Sequence, residues 1–183
     1  MKINKVTGRL CNTLFHASPH CDARPPHTTI DLIVIHNISL PPGQFSGEAV
    51  DHFFMGKLDP SAHPYFQTIA DLRVSSHLFI RRTGQIIQYV PFHKRAWHAG
   101  ESAFQGRTRC NDFSIGIELE GTDERPYEEA QYQQLACVGA LLLNTYPIAR
   151  DHIVGHETIS PGRKTDPGPG FSWDYFHQLM EQR

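Results

Sequence analysis

The chain has 183 residues, of which 39% are hydrophobic and 20% charged, the make-up of one ordinary soluble domain. Its 17 Lys and Arg against 19 Asp and Glu leave a formal charge of -2, without the basic surplus that nucleic-acid or anionic-membrane binding draws on. The longest apolar runs, Leu32 to Ile35 and Ala140 to Leu143, fall far short of the ~20 residues that span a bilayer, so neither nucleic acid nor membrane is an expected partner.

Residues 1–27 are rich in Pro, His and Cys and lack periodicity, which predicts an irregular segment lying over a core of about residues 28–180. Lys2 and Lys5 are not followed by the apolar stretch of a secretory signal, and the four cysteines form no Cys-x-x-Cys pair. The chain therefore reads as cytoplasmic, with reduced thiols. Asp31 to His36 is a β-branched apolar run, predicted to be a strand buried on both faces. Pro41-Pro42-Gly43 breaks the chain, and a short helix is expected from about 47 to 55, with Val50, Phe53 and Phe54 at helical spacing.

Residues 73–81 and 85–90 read as two strands of a hairpin turning at Gly84. The polar, Gly-containing stretch from Phe92 to Asn111 is an excursion of the kind that carries binding groups. Phe113 to Glu120 alternates, with Phe113, Ile115, Ile117 and Leu119 expected on a core face and Ser114, Gly116, Glu118 and Glu120 on a face outside the core. The long helix is predicted from Pro126 to about Tyr146, and a terminal helix from Trp173 to Gln182 with Ser172 as its cap. Helices interleaved with strands predict a single mixed α/β domain, one sheet flanked by helices.

The 12 histidines pose the chemical question. His36 ends a buried strand, where its ring must find a partner; alone, it reads first as a core histidine bonded to backbone. His156 is followed ten residues later by Asp166, in a loop whose Pro and Gly residues rule out regular structure. Two imidazoles and a carboxylate are donors suited to Zn²⁺, and three protein ligands leave a fourth position open. The zinc-protease helix signature is absent, because His156-Glu157-Thr158-Ile159-Ser160 lacks a second histidine. His152 reads as a surface residue. Glu118, two residues beyond Gly116 on one strand face, suits a general base at a place where the glycine lets another group approach; the competing reading is a surface carboxylate, which also covers Glu120. Lys164 suits an oxyanion partner, or is an ordinary solvated lysine.

Several segments together carry a family resemblance: Val34 to Gly43, Ser76-His77, Arg95 to Gly100, Cys110 to Gly121, and Gly155-His156 through Arg163-Lys164-Thr165-Asp166-Pro167-Gly168-Pro169. In these the chain resembles, over nearly its whole length, the zinc N-acetylmuramoyl-L-alanine amidases of the amidase-2 type. The resemblance implies a mixed sheet with flanking helices, shared with peptidoglycan-recognition proteins. It also implies one Zn²⁺ held by His36, His156 and Asp166, with catalytic help from Glu118 and Lys164. The implied substrate is a 1,6-anhydro-N-acetylmuramyl peptide, cut between the lactyl group and L-alanine by a monomer acting in cytoplasmic peptidoglycan recycling, with consequences for β-lactamase induction. Arg73 and Arg109 would then meet stem-peptide carboxylates, while Asn37 and Trp97 line the cleft. Each of these four has a plain structural reading as well, and His77 and His98 are expected to be structural or to support the ligands from outside. The competing functions are an envelope-lytic amidase acting on polymeric peptidoglycan, a non-catalytic peptidoglycan-binding module, and a cysteine hydrolase using Cys110 and His98.

Overall fold

A computed structural model describes all residues from Met1 to Arg183. Its centre is a six-stranded mixed sheet made of β1 (Leu14–Phe15), β2 (Leu32–Ile38), β3 (Leu78–Ile80), β4 (Ile86–Gln88), β5 (Ser114–Glu120) and β6 (Ile153–Gly155), in the order β6-β2-β5-β3-β4-β1. β6, β2, β5 and β3 run parallel; β4 turns back against β3 in the expected hairpin, with Gly84 at φ +82°. The hairpin strands are shorter than predicted, because Arg73 to His77 stands outside the ladder.

One face of the sheet is covered by α3 (Glu129–Thr145) and α5 (Trp173–Glu181). Ile33, Ile35, Ile115, Ile117 and Leu119 pack there against Leu135, Val138, Leu142, Phe176 and Met180. α3 begins three residues later than the pattern predicts, because Glu128 caps it reciprocally with Gln131. Ser172 caps α5 as expected, its Oγ accepting from the Tyr175 amide at 3.3 Å.

The opposite face is also buried. α1 (Ala49–Phe54) and α2 (Pro64–Thr68) cover Phe79 and Ile87, and the helical turn α4 (His156–Ile159) with the loop before β5 covers Leu32 and Val34. Every residue of β5 is therefore buried, which corrects the expectation that one of its faces lies outside the core. Glu120 is not a surface carboxylate: it accepts from the backbone amides of Ser46 at 2.6 Å and Arg82 at 2.9 Å.

Residues 1–27 also depart from expectation, since they are not irregular throughout. They contribute β1 to the sheet, a ribbon of Ile3–Asn4 with Arg9–Leu10, and a strand, Cys21–Ala23, paired with Lys94–Ala96. Strands of two or three residues are too short to show a period, so the segment's order comes from what it bonds to. Arg24 is the strongest tie: its guanidinium donates to the carbonyls of Phe92, Asn111, Asp112 and Ser114 at 2.8–3.3 Å, and burial lowers its pKa to about 10. Replacing Arg24 by Met strands these carbonyls, so Arg24→Met is expected to cost ~3 kcal/mol or more in urea unfolding, while Arg24→Lys recovers part of it.

Candidate active site and metal centre

The parallel register of β2 and β5 sets His36 and Glu118 side by side on the same rung, and so on the same face of the sheet. β6 delivers the chain to the other side of β2, and His156 opens α4 directly after it. The loop that follows returns to the site because the Glu157 amide donates to the Asp166 carbonyl at 3.1 Å. A second clasp holds that loop from behind: Asn37 Nδ2 donates to Asp123 Oδ1 at 2.7 Å and to the Pro167 carbonyl at 3.1 Å, and the Tyr127 hydroxyl donates to the same carbonyl at 2.9 Å.

His36 Nδ1, His156 Nδ1 and Asp166 Oδ2 form a triangle whose three edges are each 3.0 Å. His156 Nε2 faces the Ala99 carbonyl at 3.1 Å, nearer than Arg163 Nη2 at 3.4 Å; a carbonyl only accepts, so this nearer partner favours the proton on Nε2 and a lone pair on Nδ1. Burial lowers His36 to about 4, although Asp166 opposes the shift. Burial alone would raise Asp166, but the imidazoles of His156 and His36 beside it hold its carboxyl well below the ordinary range. The triangle thus gathers lone pairs and one negative charge with too few protons to satisfy them. Tetrahedral zinc ligands at ~2.0–2.1 Å stand roughly 3.3 Å apart, so this N, N, O set fits Zn²⁺ with little adjustment.

The triangle opens into a cavity of about 720 Å³ whose wall includes His36, Asn37, Glu118, His156, Lys164 and Asp166. Glu118 is buried, and its Oε2 has no hydrogen-bond partner. Burial, reinforced by the charge of Asp166 and opposed by Lys164, raises its pKa well above the ordinary carboxylate value. An ionisable oxygen left unpaired beside a cavity is costly unless it has a task there.

Other candidates are placed elsewhere. Arg73 is bonded to the Ala70 and Leu72 carbonyls and lines a smaller cavity of about 170 Å³, which shares Phe53, Ile69 and Leu72 with the large one. Trp97 stacks on His20 and donates to Asp22, and Arg109 reaches Asp112 at 3.3 Å; neither lines the large cavity. Cys110 is buried, and burial raises its thiol pKa, the opposite of an activated nucleophile. Tyr65 and Arg163, neither singled out in the sequence, do line the large cavity. The signal for Tyr65 is His63-Pro64, which starts α2: His63 Nδ1 caps the Tyr65 amide at 3.1 Å and Pro64 takes the first turn.

Residues 26–169 match the family described as N-acetylmuramoyl-L-alanine amidase. The chain belongs to this amidase family. Among its members, the 1,6-anhydro-N-acetylmuramyl-L-alanine amidase AmpD of Escherichia coli K12 is 59% identical over 165 residues, 90% of each chain. AmpD of Salmonella typhimurium LT2 is 60% identical over 163 residues, 89% of this chain and 87% of that one. A crystal structure of a selenomethionine derivative of AmpD superposes with a TM-score of 0.94 at 56% identity, covering 98% of this chain and 99% of the other. The Escherichia coli amidase AmiD, in complex with the substrate anhydro-N-acetylmuramic acid-L-Ala-D-gamma-Glu-L-Lys, gives a TM-score of 0.62 at 32% identity, over 93% of this chain and 60% of that one. The amidase fold accordingly matches the mixed α/β architecture expected from the sequence.

The raised Glu118 fixes the sign of a pH effect on this amidase. A carboxyl whose pKa is higher in the folded state contributes stability at acidic pH that is lost as pH rises through the folded value. After chelation, Glu118→Gln is therefore expected to be more stable than the parent at neutral pH, with the gap closing below ordinary carboxylate pKa values; thermal melts across pH read this directly.

Proposed function

We propose that this amidase hydrolyses the amide joining the lactyl group of 1,6-anhydro-N-acetylmuramic acid to the L-alanine of its stem peptide. One Zn²⁺ per chain, held by His36, His156 and Asp166, completes the site. The enzyme acts as a monomer in the cytoplasm, in peptidoglycan recycling. The observation that carries this reading is the unpaired, buried Glu118 carboxyl beside a His-His-Asp triangle at the wall of one cavity. The AmpD relatives and the substrate-bound AmiD support the substrate class.

Zinc, when bound, supplies a Lewis acid that polarises the amide carbonyl and lowers the pKa of water. The remaining work falls to side chains of the chain itself. Glu118 takes a proton from the attacking water and returns one to the alanine nitrogen as the C–N bond breaks, a role favoured by the raised pKa of its buried carboxyl. Lys164, on the cavity wall, offers its ammonium to the carbonyl oxygen as negative charge develops there. Asn37, whose amide nitrogen is engaged by Asp123 and Pro167, has its carbonyl oxygen left for substrate, and Arg73 takes a stem-peptide carboxylate from the adjoining cavity. Trp97 and Arg109, paired with Asp22 and Asp112, are given no substrate contact.

Purified protein incubated with anhydro-muramyl tripeptide and, separately, with intact peptidoglycan should release free tripeptide from the small substrate, lose that activity to a strong chelator and regain it with zinc. Preferential release from the polymer would make the protein an envelope-lytic enzyme, and binding without cleavage would make it a recognition module. Glu118→Gln should lower kcat by about 10²–10⁴ with zinc retained. Asp166→Ala should lose zinc affinity and activity together, by at least ~100-fold.

A further inference from the structure

The two histidines of the triangle are held from behind by different kinds of partner. His156 Nε2 meets the Ala99 carbonyl, which can only accept, at 3.1 Å, nearer than Arg163 Nη2 at 3.4 Å, so the nearer partner of this ring is a backbone acceptor. His36 Nε2 meets His98 Nδ1 at 2.9 Å, and an imidazole nitrogen can either donate or accept. The far side of that ring, His98 Nε2, lies 3.0 Å from Ser114 Oγ, a hydroxyl that is also able to do both. The row Ser114–His98–His36 therefore has two self-consistent settings. In one, Ser114 donates to His98, His98 donates to His36, and the His36 proton is left on Nδ1, where it points at Asp166 Oδ2 and blocks ligation. In the other, His36 donates from Nε2 to His98, His98 donates from Nε2 to Ser114, and His36 Nδ1 is free to ligate.

Three features show that the His98 ring is placed here by design of the fold. Its amide and that of Ala99 both donate to Asn111 Oδ1, at 3.0 and 2.8 Å, so a single side chain positions the backing of both histidines. The ring lies directly on Gly116, where a Cβ would stand 2.5 Å from it. His77, the next imidazole, is locked in place: its Nδ1 accepts from the Gly116 amide at 3.1 Å and its Nε2 donates to the Lys94 carbonyl at 3.1 Å.

We infer that His98, seated on Gly116 and backed by Ser114, is a positioning residue that keeps the His36 proton on Nε2 and so presents the Nδ1 lone pair to the metal. Outer partners of this kind commonly contribute 10–100-fold to metal affinity. The inference rests on the zinc reading above.

The test uses the full-length zinc-loaded protein. Long-range proton–nitrogen NMR correlations should show both His36 and His98 protonated on Nε2 and bare on Nδ1. In chelator competition, His98→Phe, which keeps a ring over Gly116 but offers no acceptor, should weaken zinc binding by about 10–100-fold. His98→Gln, whose amide oxygen can accept from His36, should recover part of that loss. Should the His98 variants not fold, Ser114→Ala and the tautomer spectrum still decide: Ser114→Ala should weaken binding several-fold. A loaded protein with the His98 proton on Nδ1, or His98→Phe and Ser114→Ala proteins that hold zinc as tightly as the parent, would overturn the inference and leave the zinc reading intact. A parent protein that binds no zinc would overturn both.

Discussion

Two ionisable side chains on one rung of a sheet buried on both faces set the terms for the rest of this structure. Parallel pairing of β2 with β5 makes His36 and Glu118 neighbours, and the layers above and below deny both of them bulk water. Desolvation then acts on the two in opposite directions, lowering the imidazole and raising the carboxyl. Both shifts favour the neutral forms. A neutral imidazole has a lone pair to offer a metal, and a carboxyl with a raised pKa holds more firmly a proton that it has taken up. One physical cause prepares the two kinds of group that amide hydrolysis requires.

Such a site needs walls that stay in place, and the walls are loops. The segment from His98 to Glu101 is held through its backbone: Asn111 receives the His98 and Ala99 amides, and Arg163 Nη2 donates to the carbonyls of Ala99 and Glu101. Arg24 gathers the carbonyls on either side of the same excursion. Arg163 also adjoins Lys164 and lines the cavity, so the loop that carries the Asp166 carboxylate is braced against the loop that backs the histidines. Side-chain-to-backbone bonds spanning 12 to 90 residues thereby supply the rigidity that secondary structure supplies elsewhere.

Much of this was legible in the sequence, for identifiable reasons. The β2 run announces itself by β-branched residues, α3 by its stripe of Leu135, Val138 and Leu142, and the triangle by donors of zinc-like type: a histidine ending a buried run, and His156 followed ten residues later by Asp166 in a Pro- and Gly-rich loop. Gly116 was read as making room for another group, and the structure shows that the group is the His98 ring. What escaped was short or relational. β6 and α4 have three and four residues, fewer than one clear period, and the N-terminal strands owe their order to Arg24 and to neighbouring edges. The cavity wall at Tyr65 depends on where α2 packs, and the local acceptors that Arg73, Trp97 and Arg109 meet, two carbonyls and two carboxylates, are set by the fold and not by side-chain type.

The unequal backing of the two histidines follows from where they sit. His156 begins a helix and can reach a backbone carbonyl outside the sheet, that of Ala99, which it shares with Arg163. His36 stands inside a strand, where neighbouring carbonyls are committed to the sheet. Its outer nitrogen has to be met by a side chain, and the space for that side chain has to come from a residue without one. Gly116, one pleat before Glu118 on the adjacent strand, provides it. The buried His36 imidazole on this central strand is thus backed by three linked features: a glycine on the neighbouring strand, a ring laid over that glycine, and a hydroxyl at the far side of the ring. Ser114, Gly116 and Glu118 alternate along one face of β5, so the polar alternation of that strand records the construction of a site and not exposure to water.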